Sequence, residues 1–273
     1  MEVMMGIKNS TAVDHISNYS DLYRKYKDHQ GKTDNYQFDD PEINRILGGG
    51  IGRVGSFELC LIYGSSGAGK SVLAENLVWL AARKHEKICL MSLENDPAQT
   101  YGQLETIFDD DKLLNECNME FIGREQLKEN FTIADVGAEI RRLYNEAGCD
   151  IVVVDHIQEL LDLATKDEDR NENSNEKVRK FMQEIQDAVS ENRKTLVLVA
   201  HTNKSKIGGM ESIYGSSALY QKATTVIEIN KDPESGKVSI KCHKNRNAFV
   251  PPHDPLRITY QDKMRVQSDL GLE

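Results

Sequence analysis

One short glycine-rich segment has the residue types and the spacing that bind a nucleotide phosphate. Its residues are Gly64, Ser65, Ser66, Gly67, Ala68, Gly69, Lys70 and Ser71, and they fit the pattern G-x-x-x-x-G-K-[ST]. Glycines let backbone N–H groups curl around an anion, and the helix that follows adds the positive end of its dipole. In such a loop the amine of Lys70 reaches the β- and γ-phosphates, and the hydroxyl of Ser71 binds Mg²⁺. The segment therefore predicts a site for a nucleoside triphosphate and Mg²⁺.

Two carboxylates are placed to complete this chemistry. Asp155 ends the apolar run IVVVD, which indicates a buried strand that delivers a second Mg²⁺ ligand to the edge of a sheet. Glu94 ends the run ICLMSLE, and a carboxylate there can accept a proton from an attacking water. Either acid could instead cap the helix that follows it. The guanine-specific pattern N-K-x-D does not occur in the chain, so ATP is favoured over GTP.

Strands and helices alternate on both sides of the phosphate loop. Strands are predicted at 57–63, 88–93, 119–122, 150–154 and 196–200, and helices at 41–47, 70–85, 97–108, 133–147 and 176–192. Unbroken apolar strands between helices indicate an α/β fold with a mostly parallel central sheet covered on both faces. A C-terminal β-hairpin is predicted from 225–229 and 237–242, which the turn KDPESG separates. The stretch QELLDL predicts only a short turn, and a glycine-rich loop is expected after residue 200.

The length allows one large domain or two small ones, and the composition fits a globular protein. The chain has 273 residues, of which 39% are hydrophobic and 29% charged, so it can bury a sizeable core. Residues 1–37 are polar and weakly patterned, and we expect an N-terminal arm or a partly ordered terminus ahead of an ATPase domain at 38–273. The net charge of −10 argues against a general nucleic-acid coat protein but leaves room for a local basic channel.

The chain has no signature of export or of a membrane. Its cysteines are far apart and form neither a C-x-x-C metal clip nor a dense disulfide framework. No apolar run approaches the roughly 20 residues that a membrane span needs, and the first residues do not resemble a secretory signal. We therefore expect a cytoplasmic protein, or one in the host cytoplasm if a phage encodes it, with no membrane partner.

The order of these signals resembles the RecA-fold ATPases, above all the hexameric replicative helicases of the DnaB type. The segment SLE at 92–94 is similar to the one that carries their catalytic glutamate, and DHIQ at 155–158 is similar to their Walker B stretch D-Y-L-Q. The segment EINRILGGG at 42–50 resembles the start of RadA- and KaiC-type domains. The resemblance covers about residues 38–262. It implies a RecA-like core that hydrolyses ATP with Mg²⁺, with Glu94 as the base and Asp155 at the metal.

The resemblance assigns roles to three further residues. His201 follows the strand at 196–200, where these proteins place a residue that senses the γ-phosphate. Lys244 and Arg246 are similar to the K-x-R-N segment whose cations reach the γ-phosphate bound to the neighbouring subunit. Judged from the residues alone, His201 could be an ordinary histidine at a strand end. The other two could be solvated charges along the edge of a sheet.

In ring-shaped members of this group, the loop after the sensor strand lines the channel that holds DNA. Here that loop would be 203–212, and its basic or flexible residues are Lys204, Lys206, Gly208 and Gly209. The lysines can neutralise phosphates, and the glycines let the backbone approach a strand. An ordinary surface loop is the alternative. A first channel loop, within 163–175, is mostly acidic, and neither loop carries aromatic stacking residues.

The resemblance as a whole implies a homo-oligomeric ring, a hexamer, that moves along single-stranded DNA by hydrolysing ATP. A primase or a helicase loader would be a further partner of such a motor. Two alternatives stay open: a RadA-like recombination or repair ATPase that depends on DNA, and a KaiC-like regulatory ATPase that does not use DNA. A small-molecule kinase is less favoured, because it has no use for an arginine from a second subunit.

Overall fold

A sheet with helices on both faces organises the chain from residue 35 onward. Its helices are α1 (Pro41–Ile46), α2 (Lys70–Arg83), α3 (Pro97–Phe108), α4 (Asp111–Glu116), α5 (Ile133–Asn145), α6 (Ile157–Thr165), α7 (Ser174–Asn192) and α8 (Ser217–Lys222). Its strands are β1 (Glu58–Gly64), β2 (Ile88–Ser92), β3 (Met119–Gly123), β4 (Ile151–Asp155), β5 (Thr195–Ile207), β6 (Met210–Ile213), β7 (Thr225–Lys231), β8 (Val238–Asn245), β9 (Leu256–Tyr260) and β10 (Val266–Ser268).

The structure is a computed structural model, and it describes the chain in segments. The described residues are 35–52, 57–166, 174–207, 210–213, 217–248, 250–251, 253–260 and 263–269. Side chains are not described at 174, 203–207, 210–213 and 217. The predicted arm at 1–37 lies almost wholly outside the described residues, as do Gly208, Gly209 and residues 167–173 of the first channel loop.

The strand order is β10-β9-β8-β7-β1-β5-β4-β2-β3, and β6 pairs with β5. The strands from β7 through β1, β5, β4 and β2 to β3 run parallel. The strands β7, β8, β9 and β10 pair antiparallel and extend the sheet on one side. The predicted α/β fold, with a mostly parallel sheet and a C-terminal hairpin, is confirmed.

The central strands bury both of their faces, as unbroken apolar runs predict. In β1, Cys60 and Ile62 pack in a core with the helices α1, α2 and α3. The alternate residues Leu59 and Leu61 pack in a second core with α5, α6 and α7. Side chains that alternate across the sheet thus attach helices to both faces. Among the helices that the described residues form, none has the length and the apolar character needed to cross a bilayer.

Two local predictions were wrong, and both concern segments next to the site. The stretch QELLDL belongs to α6, because Ile157, Leu160, Leu161 and Ala164 recur at helical spacing and are buried against the sheet. The segment after residue 200 is not a plain loop. There β5 continues to Ile207 and pairs antiparallel with β6. The sequence reasoning also missed the short elements α4, α8, β9 and β10.

Tyr36 attaches the start of the described chain to the rest of the domain. Its backbone N–H donates to the carbonyl oxygen of Ile51 at 2.8 Å, and its side chain is buried in the core. The phenol donates to Glu86 at 2.5 Å, and Lys84 lies over the ring. Packing against the sheet therefore begins before residue 38, within the segment that the sequence assigned to the arm.

Gly64 is expected to be intolerant of any side chain. A Cβ at this position would lie 1.9 Å from the carbonyl oxygen of Ile229 on β7. The substitution Gly64→Ala must push β1 and β7 apart, and we expect it to lower the free energy of unfolding by about 1–3 kcal/mol or more. Urea denaturation followed by circular dichroism measures this change.

Gly102→Ala is the matched control, because a Cβ at that position in α3 has no neighbour within 4 Å. It should leave stability unchanged or raise it by up to about 1 kcal/mol, since alanine favours a helix over glycine. Equal stabilities of Gly64→Ala and Gly102→Ala would contradict the close approach of β1 and β7.

Candidate active site

Four neighbouring parallel strands end at one edge of the sheet and place the candidate catalytic residues there. The phosphate loop follows β1, and Asp155 ends β4. Gly64 is in register with His201 of β5, and Ser92 of β2 is in register with Asp155. Because the carboxyl ends of parallel strands share an edge, the fold brings together groups that are far apart in the sequence.

Lys70 begins α2 and is almost completely buried, with 4% of its surface exposed. Its Nζ donates a hydrogen bond to the carbonyl oxygen of Ser65 at 2.9 Å, so the amine spans the phosphate loop. Burial lowers the pKa of Lys70, while the carboxylates of Asp155 and Glu94 act in the opposite direction. A buried cation across a glycine-rich loop is the arrangement that binds a polyphosphate.

Tyr260 of β9 supports the phosphate loop from outside the predicted motif. Its hydroxyl donates to the carbonyl oxygen of Gly69 at 2.9 Å, and burial raises the pKa of the phenol. Gly69 has φ +93°, and a Cβ there would lie 2.5 Å from the Tyr260 ring. Glycine is therefore required both by the backbone and by the packing. The sequence offered no signal for Tyr260, because β9 was not predicted.

Asp155 has an oxygen that fits a cation. The residue is 6% exposed, and its Oδ1 has no hydrogen-bond partner among the described residues. Burial raises the pKa of this carboxyl group, and the Ser71 hydroxyl acts in the opposite direction. Mg²⁺ prefers oxygen ligands, and a buried oxygen without a partner beside a serine hydroxyl is such a donor set. Ser71 and Asp155 thus fit the Mg²⁺ that the sequence predicts.

Glu94 lies between two histidines. Its Oε2 is 3.2 Å from Nε2 of His156 and 3.3 Å from Nε2 of His201. The two imidazole rings meet edge to face with centroids 4.5 Å apart. The glutamate side chain is 46% exposed, so water reaches its carboxylate. A solvent-accessible carboxylate held at the edge that carries the phosphate loop is suited to take a proton from water.

His156 also caps the helix α6. Its Nδ1 accepts a hydrogen bond from the backbone N–H of Glu159 at 3.4 Å, and the side chain is 9% exposed. Burial lowers the pKa of the imidazole. In the sequence His156 lies in the DHIQ stretch, and no role was predicted for it. Its position before an apolar helical repeat was the available signal.

The group Glu94, His156 and His201 is also a geometric candidate for a metal, because its ligand atoms lie within 4.8 Å of one another. A metal on Nε2 of His156 would place the imidazole proton on Nδ1, against the N–H of Glu159. The helix cap therefore opposes metal binding, and of the two histidines His201 forms a hydrogen bond with Glu94 while His156 lies in close contact with it.

Gln158 holds the backbone of the sensor strand. Its side-chain amide donates to the carbonyl oxygen of His201 at 3.3 Å and accepts from the N–H of His201 at 3.4 Å. The residue is buried on α6. A single helix thus contacts both the side chain of Glu94, through His156, and the backbone of His201.

Lys244 and Arg246 contact a different part of the molecule. Nζ of Lys244 donates to the carbonyl oxygen of Tyr220 at 2.6 Å, and a guanidinium nitrogen of Arg246 donates to that of Gln221 at 2.9 Å. Both acceptors lie in the last turn of α8, whose carbonyls have no helical partner. Among the described residues, no hydrogen bond or ion pair joins either cation to the phosphate loop.

The predicted site residues therefore fall into three groups. The phosphate loop, Asp155, Glu94 and His201 meet at one edge of the sheet. The pair Lys244 and Arg246 lies on β8 and just beyond it, against α8. The backbone of Lys204 and Lys206 lies in β5, beyond His201.

A phosphate loop, a buried aspartate and a solvent-accessible glutamate on adjacent strands of a mostly parallel sheet define a RecA-like P-loop ATPase. The family model described as ATPase: KaiC matches residues 41–260, and the chain belongs to that family.

Two solved structures share the fold. The KaiC-like protein PH0186 from Pyrococcus horikoshii OT3 superposes with a TM-score of 0.65 at 16% identity, covering 86% of this chain and 99% of that one. The ATPase domain of another protein gives a TM-score of 0.70 at 13% identity, covering 93% of this chain and 99% of that one. No curated protein matches the sequence.

Glu75 is an unexpected carboxyl group beneath this site. It lies one turn after Ser71 in α2, is 3% exposed, and its Oε2 has no hydrogen-bond partner among the described residues. Burial, with a smaller contribution from the Asp155 carboxylate, raises the pKa of Glu75 to about 8. The folded protein therefore holds a proton on Glu75 that the unfolded chain, with a pKa near 4.5, releases.

This difference makes stability depend on pH in a defined direction. Between pH 4.5 and about 8, the free energy of unfolding should fall as the pH rises, because the unfolded chain binds fewer protons. Glu75→Gln stays neutral and should flatten that decline. At pH about 8.5 it should exceed the wild type by up to about 4 kcal/mol. Urea denaturation without nucleotide, at pH about 5 and about 8.5, measures the difference.

The matched control is Glu105→Gln, which removes a carboxylate from the exposed side of α3. It should show the pH dependence of the wild type. If Glu75→Gln and Glu105→Gln respond to pH alike, Glu75 is not the buried group responsible.

Proposed function

We propose that this ATPase is a DNA helicase motor that moves along single-stranded DNA as a homo-oligomeric ring, a hexamer. The proposal rests on the RecA-like fold and on the segments SLE, DHIQ and KNRN, which resemble the DnaB-type helicases. A primase or a helicase loader would be its further partner.

Hydrolysis is the attack of water on the γ-phosphate, which forms ADP and phosphate. Lys70 neutralises charge on the β- and γ-phosphates, and Glu94 accepts the proton of the attacking water. Ser71 and Asp155 would hold Mg²⁺, which lowers the charge of the phosphates when it is bound. His201, hydrogen-bonded to Glu94, is the group we propose to sense the γ-phosphate.

The ring proposal is supported mainly by the contacts that Lys244 and Arg246 make. Both are held by backbone carbonyls of α8, and neither forms an ion pair among the described residues. Burial, and secondarily the charge of Arg246, lowers the pKa of Lys244 to about 8. Two cations without a carboxylate partner at the end of a strand are suited to stabilise charge on a phosphoryl group bound by a neighbouring subunit.

The DNA contacts would come from the hairpin of β5 and β6. This hairpin continues the strand that carries His201, and Lys204 and Lys206 lie in its first arm. We propose that these lysines contact the phosphate backbone and that Gly208 and Gly209 let the strand approach. Hydrolysis would then move the DNA contacts together with the sensor residue.

A second candidate is a KaiC-like regulatory ATPase that does not act on DNA, and the family match at 41–260 favours it. The two proposals differ in their response to DNA. A helicase motor should hydrolyse ATP faster when single-stranded DNA is present, and this stimulation should weaken with added salt. A regulatory ATPase should be indifferent to DNA. Unwinding of a forked duplex separates a helicase from a RadA-like recombination ATPase.

Glu94→Gln should retain ATP binding but lose hydrolysis. The amide cannot accept a proton, so kcat in the presence of single-stranded DNA should fall by about 100-fold or more. Phosphate release measures turnover, and a fluorescent ATP analogue measures binding. Lys70→Ala should lose binding or turnover, and Glu105→Gln should behave as the wild type. Normal turnover by Glu94→Gln would remove this residue from the role of base.

Mixing two inactive variants tests whether sites are shared between subunits. Arg246→Ala retains its own phosphate loop, and Lys70→Ala retains its own arginine. If Arg246 acts on a neighbour, a mixture contains sites with both groups intact, and its ATPase rate should exceed the sum of the separate rates. Rates that stay additive at every mixing ratio would count against the shared site.

A further inference from the structure

His156 contacts the proposed base Glu94, and the sequence assigned no role to this histidine. Its Nε2 lies 3.2 Å from Oε2 of Glu94, and its side chain is far less exposed than that of the glutamate. The ring is fixed from three directions: by the N–H of Glu159 on Nδ1, by Glu94 on Nε2, and by the edge-to-face contact with His201. A side chain held in this way can in turn hold its partner.

The contact at the start of α6 assigns the imidazole proton to one nitrogen. The backbone N–H of Glu159 can only donate, so Nδ1 must present its lone pair. A neutral imidazole whose Nδ1 accepts a hydrogen bond carries its proton on Nε2, and this nitrogen lies 3.2 Å from Oε2 of Glu94. The tautomer that caps α6 therefore presents an N–H on the side of the ring that lies next to Glu94.

The contact also distinguishes the two oxygens of the glutamate. Both His156 and His201 approach Oε2, and no hydrogen bond from another described residue reaches Oε1. Resting on the proposed function, we infer that His156 is a positioning residue for Glu94: it anchors Oε2 through its Nε2–H and thereby presents Oε1 to the attacking water. Positioning of this kind affects the rate of the chemical step more than the binding of ATP.

Two substitutions of His156 separate the positioning of Glu94 from the capping of α6. His156→Asn keeps an acceptor at the position of Nδ1 and is a good N-cap, but it has no group that reaches Glu94. His156→Gln places an amide N–H near the position of Nε2 but is a poorer cap. Both variants lose the ring that contacts His201, so that loss is the same in the comparison.

We expect His156→Asn to lower kcat for ATP by about 10-fold or more while the KM for ATP and the thermal midpoint stay near those of the wild type. His156→Gln should retain a clearly larger kcat than His156→Asn, although its thermal midpoint falls. A role confined to the cap predicts the opposite order, with His156→Asn as the more active variant. That order, or equal rates, would overturn the inference.

A second measurement does not need ATP hydrolysis. Nitrogen NMR of the protein with ¹⁵N-labelled histidine reports the tautomer of each ring, and the spectrum of His156→Asn identifies the signal of His156. We expect the Nε2–H tautomer, and we expect Glu94→Gln to shift that signal. An Nδ1–H tautomer overturns the inference even if the ATPase proposal holds. Absence of any ATP hydrolysis, with the expected tautomer, would refute only the proposed function.

Discussion

The pairing of β2 with β4 is the constraint on which the candidate site depends. Ser92 is in register with Asp155, and the next N–H, that of Leu93, donates to the carbonyl oxygen of Asp155 at 2.7 Å. This bond fixes the distance between the strand end that carries Glu94 and the one that carries Asp155. A shift by one residue would turn every side chain of the strand to the other face of the sheet. The buried apolar residues of both strands oppose such a shift. The packing of the core therefore also fixes how Glu94 and Asp155 lie relative to each other.

Helix α6 holds in place the residues that the strand register brings together. His156 caps its N-terminus and contacts Glu94, and two residues later the Gln158 amide lies against the backbone of His201. Its apolar side packs into the core beside the sheet, so the polar contacts at its start are supported by burial rather than by solvent-exposed loops. The same few residues therefore connect the end of β4, the end of β2 and the middle of β5. The Gln158 contacts are modest hydrogen bonds and His156 adds a close contact, and together they leave little freedom to the glutamate or to the strand beside it.

The sequence predicted those parts of the site that are local in the chain. The phosphate loop is a contiguous motif, and Asp155 and Glu94 end apolar runs, so their types and positions could be found without a structure. The segment QELLDL was too short to distinguish a turn from a helix. The residues after 200 are polar, so the hydrophobic pattern did not predict that β5 continues there. The contact of Tyr260 with Gly69 spans 191 residues and depends on a strand that was not predicted. Contacts of this kind follow from the pairing of distant strands, which periodicity does not encode.

Strand β5 connects the proposed site of ATP hydrolysis with the proposed DNA contacts. It lies between β1 and β4 in the sheet, and its first half pairs with β4 up to Leu198 and with β1 up to His201. Beyond that point its pairing partner among the described strands is β6, and α8 follows β6 in the chain. The hairpin is therefore bounded by the proposed sensor at one end and, at the other, by the helix whose last carbonyls hold Lys244 and Arg246. A displacement at a subunit boundary that draws these cations from α8 would act on one end of the hairpin, and the γ-phosphate would act on the other. The chain from His201 to α8, together with the hydrogen bonds from the two cations to α8, links the nucleotide site, the cations that we propose act on a neighbouring subunit, and the proposed DNA contacts.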